Sequence, residues 1–176
     1  MSDTMRRFLS ESSIRGHKEY LSHLNLKYSV LQKSEPRLYD VPLDKIHRIN
    51  LKSDIKNEAV TLLSEIKAHE IYFASFSVDL GKYEKIKKKY VSADSLRYEI
   101  FTAARRSLTG FLFVLLERGE VRISVVDKPP FFSKSTPALA LDLCEHSYFL
   151  DYGFHRDEYL RRAVGYLDLS KIEEYL

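Results

Sequence analysis

The 176-residue sequence predicts an α+β fold. The expected order is an antiparallel helical hairpin, a further helix, a small three-stranded antiparallel sheet and closing helices. Three observations carry this reading. Apolar residues recur at three- and four-residue steps along two long stretches before Gly81. The texture changes at residue 111, where "FLFVLL", "ERGE" and "VRISVV" succeed one another as a β-hairpin does. One more short apolar run, "PALALD", then gives way to helix again.

Residues 5 to 31 read as one long helix, with Met5, Phe8, Leu9, Tyr20, Leu21, Leu24, Tyr28 and Leu31 at helical spacing. Pro36 and Pro42 bracket a connector, "SEPRLYDVPLD". The second helix starts near Asp54, a suitable N-cap, and runs to about Phe76, carrying Ile55, Ala59, Leu62, Leu63, Ile66 and Phe73. Two long amphipathic helices with a compact link imply the hairpin. Gly81 interrupts the pattern, and "KYEKIKKKY" is a short basic helix or turn with a solvated charged face. "ADSLRYEIFTAARRSLTG" is the next helix, with Gly110 as its stop. Residues 127 to 136 form a loop, "PALALD" the third strand, and residues 145 to 176 a helical close. The chain divides into a hairpin domain, 1–80, and a C-terminal α/β domain, 81–176, with the functional site between them.

Composition narrows the function classes. A 44% hydrophobic, 30% charged chain is globular, not disordered. A net charge of +3 does not call for nucleic acid and suits a small anion. The lone Cys144 excludes an internal disulfide and fits a reducing cytoplasm. The N-terminus has no signal-peptide core, and no apolar run reaches the length of a membrane span. The expectation is a cytoplasmic protein with neither nucleic acid nor membrane as partner.

The chemistry concentrates in "DLCEHSYFLDYG", residues 142 to 153. Asp142, Glu145 and His146 stand where a strand hands over to a helix, followed by aromatics. His69 lies on the second helix, with Glu65 four residues earlier on the same face. Two imidazoles and a carboxylate are the inventory of a hard divalent or trivalent metal. Taken singly, His69 has an ordinary reading as a satisfied histidine, and Asp142 as a helix cap.

Taken together, these segments resemble the iron/manganese superoxide dismutase family. "TPALALDLCEHSYFLDYGFHRDEYL" resembles that family's Asp-x-Trp-Glu-His signature with its trailing aromatics. "AHEIYFASF" resembles its Asn-His-x-x-Phe/Tyr-Trp segment, and "HKEYLSHLN" its His-x-x-Tyr-Val-x-x-Leu-Asn segment. The order and approximate spacing extend along nearly the whole chain. The resemblance implies an iron or manganese ion, superoxide or another small anion as partner, and a homodimer. It places His69, Asp142 and His146 on three of four metal ligands and Tyr20 on the tyrosine guarding the substrate funnel. Glu145 falls on the glutamate that reaches the partner's metal-binding histidine.

The departures are equally specific. The fourth ligand, eight residues before the guarding tyrosine, falls on Ser12, and a funnel histidine falls on Gly16. His17 is near but one residue off the face shared by positions 12, 16 and 20; a one-residue slip, turning each side chain about 100°, would bring it in. A tyrosine of the cross-interface contact falls on Phe149, and tryptophans around the site are replaced, including by Phe111 and Cys144. The glutamine that bonds metal-bound solvent falls on Glu65. An ionised carboxylate only accepts hydrogen bonds, so Glu65 either favours the oxidised metal or is itself a fourth ligand. Superoxide dismutation, impaired by these changes, is the expected activity. The alternatives are a binding or structural protein on the same fold and a non-haem iron site with another redox reaction.

Overall fold

The computed structural model describes residues 3–78, 81–129 and 135–176. Its architecture follows the predicted order: a helical N-terminal part, a three-stranded antiparallel sheet, and C-terminal helices. The proposed domain boundary at residue 80 lies outside the described residues.

The first helix begins later than its apolar spacing suggests. Met5–Arg7 form a separate 3-10 turn, and α1 runs from Glu11 to Ser34. The break is made by Ser10, whose side chain accepts the Ser13 amide hydrogen as an N-cap. Its own amide donates to Asp151 at 2.7 Å, so it cannot continue a helix. The connector forms two 3-10 turns, Pro36–Leu38 and Leu43–Arg48. The second helix, α2, spans Ser53–Ala74 with Lys52 at the N-cap, so Asp54 sits in its first turn. It stops before Phe76 because Phe76 pairs with Leu167 in an isolated β-bridge.

Two short helices follow, α3 (Glu84–Tyr90) and α4 (Ala93–Arg105), separated by Val91 at φ 70°. Strands β1 (Phe111–Glu117) and β2 (Glu120–Val126) form the expected hairpin. Arg118 and Gly119 turn it with φ of 50° and 80°, as a tight two-residue connection requires. Gly110 acts as the entry to β1: at φ 85°, a Cβ there would meet the Val126 carbonyl oxygen at 2.1 Å. Strand β3 (Thr136–Asp142) pairs antiparallel with β1, giving the order β2-β1-β3. Of the expected 127–136 loop, residues 130–134 lie outside the described residues, and Thr136 already belongs to β3.

The C-terminal helical region is fragmented. It comprises a 3-10 turn at Glu145–Ser147, then α5 (Phe149–Tyr152), α6 (Arg156–Gly165) and α7 (Ser170–Tyr175). Gly153 breaks it at φ 51°. The Glu173 carboxylate of α7 reaches back to accept the Lys85 and Ile86 amides at the start of α3.

The buried apolar residues fall into two clusters. One, with Leu24, Tyr28, Leu31, Leu62 and Ile66, lies between the hairpin helices and their connector. The larger joins the sheet to α4, α6 and the far end of α2. Helix α2 belongs to both and lies against β3, where the Ala140 amide donates to the Ser75 hydroxyl at 2.8 Å. That shared helix brings residues of α1 to the end of β3.

Candidate metal centre

The site forms where α1, α2 and the end of β3 meet. The buried residues of α1 are Ser13, Ile14, His17, Leu24, Tyr28 and Leu31. Positions 17, 24, 28 and 31 mark one stripe, so the packing that buries Leu24 and Leu31 also turns His17 inward. His69 comes from the inner face of α2. Register puts Asp142 opposite Phe111 at the mutual ends of β3 and β1, and the following turn carries His146.

Four side chains converge. Asp142 Oδ2 lies 2.8 Å from His146 Nε2, 3.1 Å from His17 Nε2 and 3.6 Å from His69 Nε2. One donor atom from each of the four lies within 4.8 Å of all the others. Asp142, His17 and His69 are buried, whereas the His146 side chain is 36% exposed. Despite these distances, neither His17 Nε2, His69 Nε2 nor Asp142 Oδ2 makes a hydrogen bond of acceptable geometry. Buried polar atoms left this way are costly unless something else satisfies them. Ligands about 2.1 Å from one ion, at right or trigonal angles, stand roughly 3.0–3.6 Å apart. The three Asp142-to-imidazole distances lie close to that range, so the cluster suits a metal held by three imidazoles and one carboxylate.

The surroundings prepare these donors. His69 Nδ1 donates to the Glu65 main-chain carbonyl at 2.7 Å, which leaves Nε2 free to ligate. Burial pushes the His69 pKa down, and His17 and His146 add to that, opposed by Asp142 and the Glu65 carbonyl. A neutral imidazole is the form a metal takes. Burial alone would raise the Asp142 pKa, but the facing His146 and His17 imidazoles hold it well below the usual carboxylate range. Its Oδ1 accepts the Cys144 amide at 2.9 Å. For His146 burial acts downward and is outweighed by Asp142, Glu145 and Glu65, so its pKa is raised.

Aromatic rings wall the cluster. Tyr20 stands 4.7 Å from the His146 ring and 5.3 Å from that of His69, at 37% exposure. Its pKa is raised by burial and then by the charges of Glu65 and Asp142. Phe111 meets His69 edge-on at 5.1 Å, and Tyr72 and Phe73 flank His17 at 4.8 and 5.1 Å. Cys144 is a half-buried thiol whose sulfur accepts the Gly110 amide; burial and the nearby Asp142 push its pKa up to about 12.

Thus His69, Asp142 and His146 come together, with Tyr20 over them. Glu65 holds His69 through its backbone and acts on Tyr20 and His146 by charge, but it is not one of the four converging donors. Glu145 is exposed and is not among the four converging donors, although its charge acts on the neighbouring His146; Phe149, Leu150 and Phe154 further along the chain are also exposed. Ser12 and Gly16 are exposed, and a Cβ on Gly16 would meet nothing within 4 Å. His17 is the residue that counting eight positions back from Tyr20 misses. Extending the stripe Leu31, Tyr28, Leu24 by seven residues reaches it.

Residues 80–175 match the profile of iron/manganese superoxide dismutases, C-terminal domain. Over 173 residues the chain is 23% identical to the chloroplastic iron superoxide dismutase 3 of Arabidopsis thaliana. That alignment covers 92% of this chain and 64% of the relative, so the chain spans a little under two thirds of the relative's length. With more than half of its length matched by one family, and four converging donors at the junction of hairpin and sheet, the chain belongs to the iron/manganese superoxide dismutase family.

Proposed function

We propose that the chain binds iron or manganese through His17, His69, Asp142 and His146 and reacts with superoxide at a reduced rate. The convergence of three buried donors and the more exposed His146, without mutual hydrogen bonds, is the observation that supports this. An iron or manganese ion held by these four residues would supply one-electron redox chemistry. Overall, two superoxide ions and two protons become dioxygen and hydrogen peroxide. The chain's own groups orient and supply protons. Tyr20, with its pKa raised, keeps its hydroxyl hydrogen near neutral pH and is half-exposed beside His146, so it can donate. Glu65 stands where a donor amide would serve better. An ionised carboxylate accepts hydrogen bonds only, and beside a bound metal it would favour the oxidised form.

The exposed run Glu145, Phe149, Leu150 and Phe154 supports a two-fold homodimer through this face. Phe149 and Phe154 already pack at 5.5 Å, with Phe154 94% exposed. With Phe149 and Gly16 unable to hydrogen-bond across it, the dimer is weaker than the family pattern implies. Sedimentation at micromolar concentration should show dimer; a monomer throughout would refute it. The single cysteine favours a reducing compartment such as the cytoplasm. Among the described residues, no helix is long and apolar enough to cross a membrane.

Metal analysis after expression with iron and manganese, followed by direct recording of superoxide decay, tests the reading. Near-stoichiometric metal with slow turnover is expected; protein that takes up neither metal would sink it. The open space at Gly16 and the carboxylate at Glu65 favour one second reading, a fold member that keeps its metal without dismutation. Metal uptake with no catalysed superoxide decay would select that reading.

A further inference from the structure

Two fully buried tyrosines stand behind the four donors. Tyr72, on α2, lies against the His17 ring at 4.8 Å. Tyr159, on α6, donates its hydroxyl hydrogen to the main-chain carbonyl of Asp142 at 2.9 Å. The two hydroxyls meet at 3.4 Å. Since the Tyr159 hydrogen is already committed to Asp142, Tyr72 is the donor in that contact. The result is a chain of contacts from the His17 ring, through both hydroxyls, to the backbone of Asp142.

The core does not need these hydroxyls. Tyr159 is stacked on Tyr148 at 4.9 Å and tilted against Tyr152 at 5.8 Å. Tyr72 meets Phe76 edge-on at 5.2 Å. Phenylalanine at either position would keep the rings packed and avoid desolvating an oxygen. Two hydroxyls buried as a pair, one bonded to a ligand's own backbone, therefore do something that packing does not.

We infer that Tyr72 and Tyr159 are positioning residues for the metal centre. They fix the end of β3, and with it the aim of Asp142 Oδ2, relative to the His17 ring on α1. Neither touches the position between the donors; each acts through a ligand. The inference rests on the proposed metal centre and adds what holds two of its ligands in register. Both elements are separately anchored, β3 by its pairing with β1 and α1 by its packing on α2. The hydroxyl pair sets only their fine alignment. Its loss therefore changes the centre more than the fold.

Manganese(II) supplies both readouts: affinity by chelator competition, and the zero-field splitting in the electron paramagnetic resonance spectrum of the saturated protein. The splitting reports ligand geometry and does not move when a variant is only less stable. Tyr159→Phe removes the shorter of two hydroxyl bonds to the Asp142 carbonyl, the other coming from Ser147 at 3.2 Å, and takes away the Tyr72 hydroxyl's partner. It should weaken manganese binding about 10- to 100-fold, the usual effect of losing an outer-shell partner, and change the spectrum. Tyr72→Phe keeps the Asp142 bond, so its effects should be smaller but visible. The double variant should bind no worse than Tyr159→Phe, because no orphaned hydroxyl remains. A folded Tyr159→Phe with wild-type affinity and spectrum would overturn the inference while leaving the metal centre in place. So would affinities that fall only as thermal stability falls, with unchanged spectra. If Tyr159→Phe does not fold, Tyr72→Phe must alter the spectrum by itself, and an unaltered one would overturn the inference. Wild-type protein that takes up no metal would overturn the metal centre and this inference together.

Discussion

His17 and Ser12 make opposite predictions for the same centre. His17→Ala removes a converging donor and should lower iron or manganese affinity by more than about 100-fold, beyond the loss typical of an outer-shell partner. Ser12→His should leave metal content unchanged and should not rescue His17→Ala, because residue 12 faces solvent. Elemental analysis of dialysed protein checks both. Glu65→Gln replaces an acceptor with a group that can also donate. It should raise the reduction potential and speed superoxide decay, measured by redox titration and by decay normalised to metal. At this scale the converging donors were legible wherever they are close in sequence. Asp142 and His146 share a five-residue stretch, and His69 stands in its own recognisable segment. His17 was not legible by counting from Tyr20, because counting assumes that the helix presents the same turn to the site. The apolar stripe, which records how the helix is actually packed, includes it.

Among the elements, the start of α1 is tied to the C-terminal region through Ser10 and Asp151. Ser10→Ala removes the cap and should cost about 1 kcal/mol, read from urea unfolding. Burial would raise the Asp151 pKa, but hydrogen bonds from the Ser10 and Ser13 side chains and the Ser10 amide outweigh it, so the folded value is depressed. Its contribution is thus fully present above the ordinary carboxylate value of about 3.9 and is lost as pH falls through the lower folded one. Asp151→Asn should flatten the acid side of the urea midpoint against pH below about 5, and an unchanged acid limb would contradict this link. The β-hairpin was readable because "ERGE" between two apolar runs has few other solutions. The four short helical pieces after residue 145 were not, since each is too brief for periodicity to mark its ends and Gly153 redirects the chain.

For the whole molecule, metal binding and folding should be linked. The donors come from α1, α2 and the region around the end of β3, so a metal that binds only the folded chain stabilises it by mass action. At free metal about 100 times the dissociation constant this amounts to about 2.7 kcal/mol. For a chain of this size that is a rise in melting temperature on the order of 5–10 °C. Calorimetry of apo and manganese-loaded protein checks it, and chelation should reverse the shift. The overall layout was legible because helical and strand patterns are segregated along the chain. The alignment of α1 against β3 was not, because it depends on contacts between residues more than a hundred positions apart. The metal centre depends on that alignment, and crystallography with anomalous diffraction at the iron and manganese edges tests it most directly. A single peak is expected about 2.1 Å from the Nε2 atoms of His17, His69 and His146 and from Asp142 Oδ2. A peak bound by Glu65 with His17 turned away, or no peak in metal-supplemented protein, would contradict it.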